Sequence, residues 1–347
     1  MRNLTAVPAI SGSHAAAPQS RTALHYCNPV IDRDFPDPAI IRADDGLFYV
    51  YATQSGEPWV NIQVARSIDL VTWELLGDAL PSKPAWASRT QDFWAPAVFQ
   101  ADGTYYLYYS AKPDIALDDP AHGLCLAVAT SSSPAGPFVD SGRPLMAGGG
   151  FVNIDPCAFD DPESGKRLLY WGSGFGAIKV QELAEDRISF MAGSSPTDLI
   201  EPIPTDDLTE YQRLVEGVWV VRRNGFYYLF YSGANCCGPD AHYAVMVARS
   251  TRATGPFELR PRPLHLVVEA SERWLAPGHN TVIQDDAGDD WIVYHAIDRL
   301  RPQESDAHHV NSRRVLLMDR LEWRDGWPEV AGKVPSATPQ TAPVVNF

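Results

Sequence analysis

GLFYVYAT (46–53), GTYYLYYS (103–110), GKRLLYWGS (165–173), GFYYLFYS (225–232) and GDDWIVYHA (288–296) share one design. Each opens on a glycine turn, runs through aromatic residues with a period of two, and ends in a small residue. The leading glycines, Gly46, Gly103, Gly165, Gly225 and Gly288, are spaced by 57, 62, 60 and 63 residues. A period that long, with several strand-like runs per unit and no sustained helical pattern, predicts an all-β chain folded as a five-bladed β-propeller, one sheet per repeat.

The repeats also align upstream of the glycine. The preceding runs are DPAIIRADDG from Asp37, WAPAVFQADG from Trp94, DPCAFDDPESG from Asp155, EGVWVVRRNG from Glu216 and HNTVIQDDAG from His279. Counting back from each glycine sets Asp37, Ala95, Asp155, Glu216 and His279 in one slot. If this run is the innermost strand of each blade, three carboxylates and a histidine converge at one mouth of the central channel. Downstream, VNIQVARSIDLVTW, GLCLAVATSSSPAGPF and YAVMVARSTRATGPF supply third strands, with a weaker version in AIKVQELAEDRISF. VNSRRVLLMDRLEWRDGWPEV supplies two outer strands joined at Asp325-Gly326, a favoured hairpin turn pair. Residues 111–122, 193–212 and 299–309 read as loops.

A length of 347 residues suggests two domains, but the repeat runs from 26 to 330 and argues for one closed unit. Residues 1–25 read as a disordered leader rather than a signal peptide, and 331–347 (AGKVPSATPQTAPVVNF) as a C-terminal tail. A formal charge of −15 argues against nucleic acid or an anionic membrane as partner, because both need a basic face. No apolar run reaches the length of a membrane span. The partner expected is a neutral oligosaccharide or polysaccharide. Oligomeric state has no signature in the sequence.

Cys27, Cys125, Cys157, Cys236 and Cys237 are odd in number and lack CxxC spacing, which argues against a zinc site. Cys236 and Cys237 are read as two loop thiols in preference to a strained vicinal disulfide. Mostly free thiols favour a reducing compartment, and the expected location is cytoplasmic.

Carboxylates beside a channel hydrolyse an acetal when one protonates the leaving oxygen while another activates water or attacks directly. Asp37 and Asp155 at strand starts are, taken singly, ordinary turn formers. Glu216 is not: it lies in the apolar run LVEGVWVV, where a charge is costly and a raised pKa is expected. His279 alone is commonly structural, but its convergence with the acids gives it equal standing as a site residue. His295 reads mainly as a second-strand residue. Phe93 and Trp94 stand at the one blade mouth with no ionisable group, where aromatic faces suit the C–H faces of a sugar. Trp171 and Trp219 lie within strands and read as core.

DFPDPAIIR, FWAPAVF, NIDPCAFDD, VEGVWVVRRNGFYYLFYS and APGHNTVI, in that order and blade register, together resemble glycoside hydrolase family 43 across the whole propeller. The resemblance implies inverting cleavage of arabinose- and xylose-containing plant glycans. It implies Asp37 as general base, Glu216 as general acid, and Asp155 as the residue that raises the pKa of the acid and orients it. Arg314, with Arg313 beside it, matches an arginine that contacts sugar hydroxyls. No cofactor is required; a calcium or another ion held through water beside His279 is optional in the family. The expected activity is exo-acting release of terminal α-L-arabinofuranose, with β-xylose and β-galactofuranose as alternatives.

Two competing readings are weaker. A retaining fructosidase of the invertase type would carry an NDPNG-like motif and an RDP triplet, whereas this chain has Ala39 after FPDP and no RDP. A sugar-binding propeller without catalysis has no use for three acids at separate blade mouths, where their repulsion costs stability.

Overall fold

The computed structural model describes residues 24–346 apart from 57–58, 173, 263 and 306–309. Within them the five repeats fold into five antiparallel sheets, each laid down in chain order from its innermost strand outward. Blade one comprises Ala39–Arg42, Phe48–Ala52, Gln63–Ser67 and Trp73–Asp78; blade two, Phe93–Ala101, Thr104–Ala111, Cys125–Ser131 and Val139–Asp140. Blade three comprises Cys157–Asp160, Arg167–Trp171, Ile178–Glu182 and Thr197–Ile200. In blade four, Val215–Arg223, Phe226–Asn235 and His242–Ser250 share an outer edge made of Glu258–Leu259 and Leu266–Val268. Blade five comprises Trp274–Gln284, Asp290–Asp298, Arg314–Arg324 and Trp327–Val330, with a small hairpin, Gln303–Ser305 and Val310–Ser312, inserted before its third strand. The innermost strands touch in cyclic order, and Trp274–Gln284 returns to Ala39–Arg42 to close the ring.

The period-two aromatic runs have a direct packing cause. In the second strand of blade one, Tyr49 and Tyr51 pack in the cluster shared with blade two, while Phe48, Val50 and Ala52 pack in the cluster shared with blade five. Blade four repeats this: Tyr227, Leu229 and Tyr231 meet blade three, and Tyr228 and Phe230 meet blade five. Because successive strand residues face opposite sides of a sheet, a strand sandwiched between two neighbours must be apolar on both. Each fully buried large side chain of this kind contributes about 1.5–3 kcal/mol. Buried tyrosines also tie blades together through their hydroxyls: Tyr170 donates to Ala253 O at 2.8 Å, and Tyr51 to Pro134 O at 2.5 Å.

Four expectations are revised. The segment read as a tail is built in. Gln340–Thr341 pairs with His25–Tyr26, Trp274 Nε1 donates to Ser336 O at 3.1 Å, and Val344 N donates to Asp285 Oδ2 at 3.0 Å. Its proline-rich, non-periodic composition hid this, because it docks through short backbone pairing and a few apolar contacts, Ala342 and Val345 packing against the core shared by blades one and five. Residues 1–23 of the expected leader lie outside the described residues; His25 pairs in the same two-stranded sheet. The stretch 193–212 contains the fourth strand of blade three, Thr197–Ile200. Phe93, expected at the sugar, is fully buried against Tyr109 in the core between blades one and two, with ring centroids 6.1 Å apart.

The ring is closed by residues 26–35, which run along the third strand of blade five. Val30 N donates to Leu316 O at 2.9 Å, Phe35 N to Arg314 O at 2.8 Å, and Arg314 N to Asp34 Oδ1 at 2.9 Å. Asn28 donates to Met318 O and accepts from Met318 N at 3.0 and 2.9 Å. The backbone on both sides of Arg314 is therefore fixed by the segment that leads into Asp37.

Candidate active site

Five residues at the channel mouth, one per blade, have left-handed backbone: Asp37 (φ 56°), Ala95 (45°), Asp155 (58°), Gly217 (61°) and His279 (50°). Such a conformation turns an N–H out of the strand ladder, and a buried N–H needs an acceptor. The preceding blade supplies it each time. Ala95 N donates to Thr53 Oγ1 at 2.8 Å, Asp155 N to Ser110 Oγ at 3.1 Å, and Gly217 N to Asp155 Oδ2 at 2.9 Å. His279 N donates to Ser232 Oγ at 2.8 Å and Asp37 N to His295 Nδ1 at 3.0 Å. The small residues that end the aromatic runs are these acceptors in blades one, two and four; Ser173 lies outside the described residues.

This ring corrects the alignment of the repeats by one residue. Gly217, not Glu216, shares the slot of Asp37, Ala95, Asp155 and His279. Glu216 opposes Ser232 across its sheet as Trp94 opposes Ser110 and Gly278 opposes His295. The innermost strand slips register in all three blades, between Glu216 and Trp219, Trp94 and Ala97, and Gly278 and Thr281. Bulges of this kind re-aim a side chain toward a site.

Asp37 is buried and held from several sides. Thr53 Oγ1 donates to Oδ2 at 2.6 Å and Arg314 Nη1 to Oδ1 at 3.1 Å, while His295 Nδ1 and His279 Nδ1 lie 3.3 and 3.6 Å from Oδ1. Burial opposes its charge, yet the Arg314 guanidinium and the Thr53 hydroxyl hold Asp37 well below the usual carboxylate range. Asp155 behaves in the opposite way. Burial and the charges of Glu216 and Asp37 push it well above the ordinary value, against the Gly217 N–H that favours its ionised form. Glu216 Oε1 accepts from Tyr243 Oη at 2.8 Å.

His279 bridges the two aspartates, its Nδ1 lying 3.7 Å from Asp155 Oδ2. Burial lowers its pKa, Asp37 partly offsets this, and Arg314 adds to it. Arg313 is spent elsewhere, buried and bonded to Asp32. The guanidinium of Arg314 already occupies Asp37 Oδ1, which leaves that oxygen less suited to ligate an ion directly. Among the described residues no group of three or more His, Cys, Asp or Glu side chains is arranged to hold a metal. The residues present therefore offer calcium no built cage.

A propeller whose channel mouth gathers two aspartates, a glutamate, an arginine and two imidazoles is matched over residues 26–328 by the glycosyl hydrolases family 43. The chain belongs to glycosyl hydrolases family 43. It is 27% identical over 322 residues to the extracellular exo-α-(1→5)-L-arabinofuranosidase ArbA of Cellvibrio japonicus, covering 86% of this chain and 87% of that one. It is 30% identical over 312 residues to the β-D-galactofuranosidase xynD of Aspergillus niger, covering 86% of this chain and 82% of the relative. In structure it is similar to a thermostable family-43 glycoside hydrolase, with TM-score 0.74, 29% identity, and coverage of 92% of this chain and all of the other. Hydrolysis of glycosidic bonds in an oligosaccharide or polysaccharide is the family's chemistry.

Within this family-43 site the fold gathers Asp37, Asp155, Glu216, His279 and Arg314, with Trp94 half-buried in the blade-two position equivalent to Glu216. It leaves Phe93 in the core. Three participants carried no site assignment from the sequence: Thr53, Tyr243 and Asp34. His295 was read as mainly structural, yet it is fully buried against Asp37. Its signal was present, since the Tyr-Ser that ends the runs of blades two and four is Tyr294-His295 in blade five.

Proposed function

We propose that this family-43 hydrolase is exo-acting and inverting, and that it releases terminal α-L-arabinofuranose from plant-type glycans or oligosaccharides. The observation that carries the reading is the opposite electrostatic treatment of neighbouring carboxyls: Asp37 is driven toward its anion and Asp155 toward its protonated form. Titratable groups whose surroundings push their pKa values apart are the mark of divided acid and base roles.

In this mechanism Asp37 takes a proton from a water as that water attacks the anomeric carbon. Glu216 gives a proton to the departing oxygen as the glycosidic C–O bond breaks. Asp155 and Glu216 repel when both are charged, which favours keeping a proton on the pair. Tyr243 orients the Glu216 carboxyl, and Gly217 N–H orients that of Asp155. Arg314 has donors suited to sugar hydroxyls, and the half-buried Trp94 an aromatic face suited to a sugar ring.

Likeness to the exo-α-(1→5)-L-arabinofuranosidase over nearly the whole of both chains supports arabinofuranose and exo action. The similar β-D-galactofuranosidase supports β-galactofuranose as the second choice. A panel of nitrophenyl α-L-arabinofuranoside, β-D-galactofuranoside and β-D-xyloside separates them. The first should give the highest kcat/KM, and a higher value on either of the others would replace the assignment.

A further inference from the structure

Cys236 and Cys237 have no part in the mechanism above, yet the fold brings them to the catalytic groups. They follow the second strand of blade four, and Gly238 N, next in the chain, donates to Ser312 Oγ of blade five at 2.8 Å, which pins the turn. Arg314 Nη1, the nitrogen that donates to Asp37, lies 3.7 Å from Cys236 Sγ. On its other side Cys236 packs against the cluster that contains Tyr243, the partner of Glu216. The Cys236 thiol thus lies between residues that hold the two acids of the proposed mechanism, with Cys237 next to it in the chain.

Their accessibility and chemistry differ from those of the other cysteines. All five cysteines are free; Cys27 is exposed and the pair partly exposed, whereas Cys125 and Cys157 are buried, and burial pushes those two thiols up to about 11 and about 12. Pairing with the neighbouring Cys236 thiol lowers Cys237 below the ordinary thiol value, with burial opposing it and the charge of Arg314 assisting. A thiolate, not a thiol, is the nucleophile, and a cationic neighbour stabilises it.

We propose that the Cys236–Cys237 pair is a thiol-modification site at the active-site mouth, taking small disulfides on the Cys237 sulfur and closing the glycosidase site by crowding Arg314. The thiolate of Cys237 attacks one sulfur of R–S–S–R. A new S–S bond forms as the old one breaks, and RS⁻ leaves to be protonated by solvent. Resolution by Cys236 is disfavoured. Adjacent Cα atoms are about 3.8 Å apart across a trans peptide, whereas a disulfide usually spans about 4.4–6.8 Å. One mixed disulfide per pair is the product.

The activity readout rests on the proposed glycosidase function, so the test has a second arm that does not. The full chain is treated with 2-hydroxyethyl disulfide at pH 7, each cysteine is followed by peptide mass spectrometry, and the same samples are assayed on the nitrophenyl panel. Cys237 should be modified at least ~10-fold faster than Cys125 or Cys157. Activity should fall in step with it and return with dithiothreitol. Cys237→Ser and Cys237→Ala should keep their activity through the treatment, and Cys27→Ser should not be protected. Modification of Cys237 without loss of activity, or loss that persists in both Cys237 variants, overturns the proposal. The independent arm is Arg314→Met, in which Cys237 should react roughly tenfold more slowly. If untreated protein is inactive on every glycoside, the functional reading fails, and an unchanged rate in Arg314→Met then removes the thiol site as well.

Discussion

The hydroxyl of Tyr243 donates to Glu216 Oε1 at 2.8 Å, while its ring lies parallel to that of His295 at 5.9 Å, so one side chain links the carboxyl of blade four to the imidazole behind Asp37. Room for it comes from blade five. A Cβ on Gly278 would fall 2.0 Å from Tyr243 Cδ1. Gly278→Ala should displace the ring, reduce kcat roughly tenfold and cost about 1–3 kcal/mol of stability, the usual range for overpacking. Tyr243→Phe keeps the ring and deletes only the bond to Glu216; it should lower kcat with little change in melting temperature. Kinetics and a thermal melt on both variants check this, and full activity in Tyr243→Phe would remove Tyr243 from the mechanism.

Glu216→Gln should lower kcat by about 10²–10⁴ on a natural arabino-oligosaccharide. The loss should be far smaller on a nitrophenyl glycoside, whose leaving group needs little protonation. Equal losses on both substrates would mean that Glu216 is not the proton donor.

Asp37→Asn should lower both substrates alike, because water must be activated whatever the leaving group. If Asp37 is the base, the first sugar released has inverted anomeric configuration, and the two carboxyls stand roughly 6.5–9.5 Å apart. Proton NMR before mutarotation decides it. Retention would make Asp37 a nucleophile.

Buried His279 and His295 are held neutral in the fold, by burial first, with Arg314 adding to it and Asp37 offsetting part. Unfolded histidines take up protons near pH 6.5, so as pH falls from 7 to 5 the unfolded chain binds more protons and stability drops. Each group adds at most about 1.4 kcal/mol per pH unit. Asp37 acts in the same direction only below about pH 4, while Asp155, whose folded value is raised, contributes stability that is lost as pH rises. Denaturant melts of the parent and His295→Gln at pH 7, 6 and 5 should show a shallower acid slope in the variant. Identical slopes would mean that His295 is charged in the fold.

EDTA should leave activity within about twofold and the melting temperature unchanged, because Arg314 rather than a metal ion neutralises Asp37. A large loss of activity restored by calcium would reverse this.

The blades were legible because the same physical demand recurs five times: a strand packed on both faces must be aromatic or aliphatic throughout, and Tyr49 beside Val50 or Tyr227 beside Tyr228 records it. The acids were legible as types but not in exact register. The span from the left-handed slot to the turn glycine varies from blade to blade, 8 residues for Ala95 and Gly217 but 9 for Asp37 and His279, so counting back 9 sets Glu216 one place out. Phe93 and Trp94 look alike in sequence, yet alternation sends one into the core and leaves the other half-buried at the mouth. His295 and Tyr243 sit in second and third strands, where the pattern predicts packing, and only the ring of hydrogen bonds reveals their second task.

Asp37 belongs to the first blade, but the imidazole that receives its N–H and the guanidinium that neutralises it come from the last. During synthesis the three acids are therefore made long before they are usable. A nascent chain carrying Asp37, Asp155 and Glu216 has an aspartate with neither His295 nor Arg314 beside it. Competence to cut glycans arrives in one step, when the final sheet docks against residues 26–35, so a polypeptide truncated ahead of Arg314 should be inert rather than partly active.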